Sequence, residues 1–102
     1  MDSCKLILAE ILKSVSAYRE GNLSLIGIIN RLEELNNALT SVSFNWGFDI
    51  EDYLLELDII YGLLSVSEKK ELSKDDKSDI DKYLTDIYTR ASTELDLLSK
   101  SL

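Results

Sequence analysis

Carboxylates are the residues of this 102-residue chain with the number and spacing to do chemistry. Asp49, Asp52 and Glu56 stand at i, i+3 and i+7, which places them on one face of a helix, and Glu51 and Asp58 lie close by in the sequence. Such a set could serve acid–base catalysis by a carboxyl pair, hold magnesium, or attract a cationic partner. The first two need carboxylates opposed across a substrate or converging on an ion, and residues strung along one helix lack that geometry. Two readings are left, a solvated helix face and a protein-binding face. Other chemistry is missing from the composition. There is no histidine, so Ser–His and Cys–His pairs are impossible and the commonest metal ligand is absent. One cysteine, Cys4, makes neither an internal disulfide nor a zinc site. The glycines at 21, 27, 47 and 62 are scattered rather than gathered into a phosphate loop. The expectation is a non-enzyme with no cofactor and no metal.

Charge is distributed unevenly around those carboxylates. Residues 32–68 hold eight acidic side chains and no Lys or Arg, so the net charge of −8 resides in one third of the chain. With a pI near 4.4, direct binding to nucleic acid or to an anionic membrane is not expected, because a phosphate-binding surface needs clustered cations. A basic protein is the natural complement. Aromatic residues accompany the acids. FNWGF at 44–48 carries the single Trp and both Phe, and Tyr53 projects close to the acidic face. Trp and Tyr dominate binding hot spots. A lone Trp in a small bundle is nonetheless more often core than interface, so a binding role for Trp46 depends on its exposure.

The elements that must position these residues are helices. The chain has no proline, Leu and Ile outnumber Val, and apolar residues recur at three- and four-residue spacing. The first helix is expected from Asp2 or Ser3 to Glu20, with Leu8, Ile11, Leu12, Val15 and Tyr18 as its stripe, ended by Gly21 in a left-handed conformation. Ser24 caps the second, whose stripe is Leu25, Ile28, Ile29, Leu32, Leu35 and Leu39. Gly27 would let that helix approach the first. Residues 44–48 fit either an extended segment under the bundle or the first turn of the third helix. Asp49 is the expected N-cap of that helix, which runs to about Val66. Ile50, Leu54, Leu57, Tyr61 and Leu64 form one stripe, and Leu55, Ile59 and Leu63 a second on the other side. A helix apolar on nearly all sides is expected to be enclosed, so the third helix is placed centrally, its N-terminal half more exposed. After a charged connection at 67–73, Ser73 caps the fourth helix. Ile80, Leu84, Ile87, Ala91, Leu95 and Leu98 give its buried stripe, and Lys77–Asp81 and Lys82–Asp86 are ion pairs on its wet face. The result is an all-α chain, a single domain forming a compact four-helix bundle of up-down type. Three long helices with a broken fourth fit the pattern equally. No 18-residue apolar run or signal peptide is present, so a cytoplasmic setting is expected, with the chain a monomer or a homodimer.

The segments YREGNLSL at 18–25, LEELNNAL at 32–39 and LLELDIIYGLLS at 54–65 resemble those of small acidic helical immunity proteins from contact-dependent growth inhibition and related polymorphic toxin systems. The resemblance spans roughly residues 6–72 and rests on packing motifs, Gly21 and Ser24 among them. It implies a cytoplasmic protein that binds one toxin domain tightly. Such toxins are often nucleases, of RNase or tRNase type, with a basic substrate groove that an acidic helix could occlude. The partner-binding residues expected on this reading are Asp49, Glu51, Asp52, Tyr53 and Glu56, with Trp46 if exposed. The rival reading is a helical adaptor or regulatory subunit, self-associating through the second apolar stripe of the third helix.

Overall fold

Each helix forms where an apolar stripe is bracketed by turn chemistry. In the computed structural model, which describes residues 3–67 and 71–100, the helices are α1 (Ser3–Arg19), α2 (Leu25–Ser41), α3 (Ile50–Val66) and α4 (Lys74–Lys100). The end of α1 follows from Gly21 at φ 84°. The Gly21 N–H donates to the Tyr18 carbonyl at 3.0 Å and the Asn22 N–H to the Ala17 carbonyl at 2.8 Å, the paired bonds of a Schellman motif. The Ser24 hydroxyl accepts from the Gly27 N–H at 3.1 Å and starts α2. Gly27 does not serve an approach to α1, as the sequence suggested. A Cβ there would meet the Ser24 hydroxyl at 3.1 Å and the Leu23 side chain, so its surroundings are the helix cap. Ser73 caps α4 as expected, accepting from the Asp76 N–H at 3.0 Å. That helix is unbroken, which settles the alternative of a broken fourth in favour of four continuous helices.

The end of α2 repeats the motif that ends α1. The Phe44 N–H donates to the Leu39 carbonyl and the Ser43 N–H to that of Thr40, both at 2.9 Å, and the left-handed position is Ser43, at φ 59°. A left-handed backbone costs a residue with a Cβ about 1–2 kcal/mol. Ser43 is exposed, so nothing compensates through packing. Ser43→Gly is expected to stabilise the protein by roughly 0.5–1 kcal/mol after the added freedom of the unfolded chain is subtracted. Urea unfolding followed by helical circular dichroism reads this directly, and a loss of stability would show that Ser43 makes a contact that outweighs its strain.

The four helices form a ring in which α1 neighbours α2 and α4, α3 neighbours α2 and α4, and the diagonal pairs of the described helices keep their backbones apart and meet only through core side chains. Leu8, Ile11 and Val15 of α1 meet Ile28, Ile29, Leu32 and Leu39 of α2, Leu54 and Leu57 of α3, and Ile80, Leu84 and Ile87 of α4 in one core. Cys4 is a half-buried free thiol. The molecule measures 52 × 23 × 21 Å. A 27-residue helix is only about 40 Å long, so the helices are staggered along the axis. Antiparallel neighbours fix the stagger. Arg19 near the end of α1 reaches Asp81 Oδ1 at 3.1 Å and Thr85 Oγ1 at 2.6 Å in the first half of α4. Arg31 of α2 pairs with Glu10 of α1 at 3.3 Å. These partners replace the expected wet-face pairs. Asp81 is taken by Arg19 rather than Lys77, and Asp86 accepts from Tyr53 rather than pairing with Lys82.

The ring also overturns the central placement of α3. Ile50, Leu54 and Leu57 are buried, but Leu55, Ile59 and Leu63 are exposed. With four helices in a ring each presents one face inward and two flanks to neighbours, and its outer face has nothing to pack against. The second apolar stripe of α3 lies on that outer face. Residues 68–70 of the charged connection lie outside the described residues.

Candidate functional site

The segment between α2 and α3 is extended rather than helical, which decides between the two conformations its sequence allowed. Asn45 Oδ1 accepts from the Gly47 N–H at 3.0 Å, and Gly47 sits at φ 62°, so the chain turns sharply between two aromatic side chains. The turn brings the rings into a continuous row. Phe44 and Trp46 centroids are 6.2 Å apart, Trp46 and Phe48 5.2 Å, Phe48 and Tyr53 5.2 Å, and Tyr53 and Tyr83 of α4 5.9 Å. These are ordinary edge-to-face and stacked separations. Trp46 is 7% exposed and belongs to the core, so its place among the partner-binding residues is corrected. Its indole packs into the core between Phe44 and Phe48 and so holds the loop that carries Asp49.

Arg90 of α4 fixes that loop from below, and the sequence did not single it out. Its Nη2 donates to the Trp46 carbonyl and pairs with Glu94 at 3.2 Å, while its guanidinium stands 5.9 Å from the centre of the Phe48 ring. The sequence signal was an Arg four residues before a Glu, which reads as an exposed helix pair. Only the loop path shows that the guanidinium lies beneath an aromatic segment.

The loop ends in a tight turn centred on Asp49, whose φ of −87° and ψ of 68° are those of an inverse γ-turn, with the Ile50 N–H donating to the Phe48 carbonyl at 3.0 Å. Asp49 occupies the N-cap position, as expected, but its side chain makes no capping bond. It turns instead to Asp52. Hydrogen bonding to Asp49 and the charge of Asp49 raise the Asp52 carboxyl above the ordinary carboxylate value, with lesser contributions from lost solvent and from Glu51 and Glu56. Asp49, Asp52, Tyr53 and Glu56 together line a shallow depression with Gly47, Phe48 and Tyr83. Tyr53 is half-buried there, its hydroxyl donating to Asp86 Oδ2 at 3.3 Å. Burial first, and then the Asp86 charge, raise its hydroxyl above the ordinary tyrosine value.

Glu51 lies on the α2 side of this group, sharing a second depression with Asp49, Phe44, Trp46 and Phe48. It lines the groove between α2 and α3 with Glu33, Asn36, Asn37, Leu55 and Asp58. Glu33 of α2 faces Asp58 of α3 across that groove, and its carboxyl is raised by burial and then by the charge and hydrogen bond of Asp58. The acidic surface therefore has two halves, one on each side of the outer face of α3. Among the described residues none of these carboxylates pairs with a Lys or Arg; the ion pairs fall on Glu10, Glu34, Asp81, Glu94 and Asp96. Nor do three acidic groups among the described residues converge where a metal ion could be held. What the arrangement offers is a field of like charges with no internal neutralisation, beside half-exposed aromatic rings.

No described helix is long and apolar enough to cross a membrane. Compared with protein-family models, with curated proteins and with solved structures, the chain shows no match.

Proposed function

We propose that the chain is an immunity protein that binds a basic toxin domain, a nuclease, and neutralises it by occluding its cationic substrate groove. One observation carries the reading. Asp49, Asp52 and Glu56 are exposed, share one patch and pair with no Lys or Arg among the described residues, and a hydrogen bond to Asp49 together with its charge raises the Asp52 carboxyl above the ordinary value. A Lys or Arg brought by a partner would relieve that repulsion as it forms charge-assisted hydrogen bonds. Tyr53 and Tyr83, packed edge to face, supply the aromatic surface beside it, and the Arg90-anchored loop keeps the patch in place before binding, which lowers the ordering cost.

Tagged protein purified from its native host is expected to carry a stoichiometric large secreted protein or its C-terminal fragment, basic at that end, identified by mass spectrometry. A metabolic or signalling protein in its place would move the assignment to the second reading, a helical adaptor or regulatory subunit. That reading draws its support from the outer apolar stripe of α3.

A further inference from the structure

The outer face of α3 is apolar and largely exposed among the described residues. Leu55 is 58% exposed, Ile59 48%, Leu63 64% and Val66 81%. Spaced at four, four and three residues, they form one stripe about 17 Å long, three turns of helix. Gly62 stands within it. A glycine inside a helix costs up to about 1 kcal/mol against alanine. Among the described residues nothing requires it, since a Cβ at Gly62 would meet no atom of them within 4 Å. The N-terminal half of the stripe is flanked by carboxylates without an ion pair among the described residues, Asp52 and Glu56 on one side and Glu51 and Asp58 on the other.

We infer that this stripe seats an amphipathic cationic helix of the partner, on the reading that the partner is a basic protein. The apolar face of that helix covers Leu55, Ile59, Leu63 and Val66, and Gly62 lets the two backbones approach closely. Lys or Arg on its two shoulders meet Glu56 and Asp58. Charge selects this occupant over a second copy of the chain. Within α3 no Lys or Arg stands beside these carboxylates, so the α3 of a second copy brings no cation to Glu56 and Asp58, whereas a cationic partner helix does.

The probe is a synthetic 18-residue Leu/Lys amphipathic helix, with a Leu/Glu peptide of the same pattern as control, titrated into the full chain by calorimetry and by methyl NMR. The Leu/Lys peptide is expected to bind one-to-one and shift the methyls of Leu55, Ile59, Leu63 and Val66, and the Leu/Glu peptide not to bind. Ile59→Ser with Leu63→Ser leaves the net charge and the core unchanged and is expected to weaken binding at least tenfold with the helical signal intact. Equal binding to the double variant would overturn the proposal, because charge alone would then hold the peptide. So would a dimer of the free protein that the double variant dissociates, which would make a second copy the occupant. Capture from the native host separates this inference from the toxin reading. A basic toxin retained equally by wild type and double variant keeps the toxin reading and removes the stripe. Peptide binding at the stripe with no toxin captured does the reverse.

Discussion

Trp46→Ala is expected to cost about 3–5 kcal/mol of folding stability. The indole is almost wholly removed from water and touches Phe44 on one side and Phe48 on the other. Truncation opens a cavity between two rings that cannot close on each other, because Phe44 is held by the Schellman bond to Leu39 and Phe48 by the turn at Asp49. It also loosens the loop whose carbonyl accepts from Arg90, leaving that guanidinium with only Glu94 and the Phe48 ring. Domains of this size are stable by about 5–15 kcal/mol, so the variant would lie near the threshold of folding. Urea unfolding read by circular dichroism, which does not depend on the lost fluorophore, measures the difference. A loss below about 1 kcal/mol would mean that the loop is not packed on the bundle.

The contrast between Trp46 and Leu55 shows what the sequence could and could not convey. Helix existence, the caps at Ser24 and Ser73, the stop at Gly21 and the inward stripes were legible because each is a local matter of periodicity and backbone chemistry. Which of two apolar faces of α3 is buried is not local. It depends on whether α3 has two neighbours or three, and periodicity carries no information about that number. Leu55, Ile59 and Leu63 read as core by the same pattern that correctly placed Ile50 and Leu57. The loop failed for a related reason. FNWGF shows three aromatics but not which of them faces the bundle, and Arg90, forty-four residues from the carbonyl it holds, had no sequence mark to connect it. The acidic patch was the reverse case. Helical spacing grouped Asp49, Asp52 and Glu56 correctly, but the same spacing could not show that Glu51, one residue from Asp52, turns to the α2 side.

On the proposed immunity role, charge reversal at Asp49, Asp52 and Glu56 together, each to Lys, is expected to abolish protection of cells and to weaken partner binding at least a thousandfold while the bundle stays folded. The folding half of this expectation follows from the electrostatics of the free protein. None of the three side chains is in the core or in an ion pair among the described residues, and Asp49 makes no capping bond that lysine would forfeit. The raised Asp52 carboxyl has a definite sign. Its folded pKa lies above its unfolded one, so the ionised group opposes folding, and stability rises as pH falls through the folded pKa toward the unfolded value. Removing that repulsion offsets the unfavourable placement of cations at the N-terminus of α3, and Tm is expected to move by no more than a few degrees. The binding half follows from what reversal leaves in the interface. A partner Lys or Arg that met a carboxylate would meet an ammonium instead. Loss of one desolvated pair already costs roughly 30-fold in affinity, and like-charge contact adds to it. Calorimetry with the partner captured from the native host, run beside circular dichroism of the variant, separates the two halves. A folded triple variant that binds as the wild type does would remove this patch from the interface and leave the apolar stripe of α3 as the surface that must account for recognition.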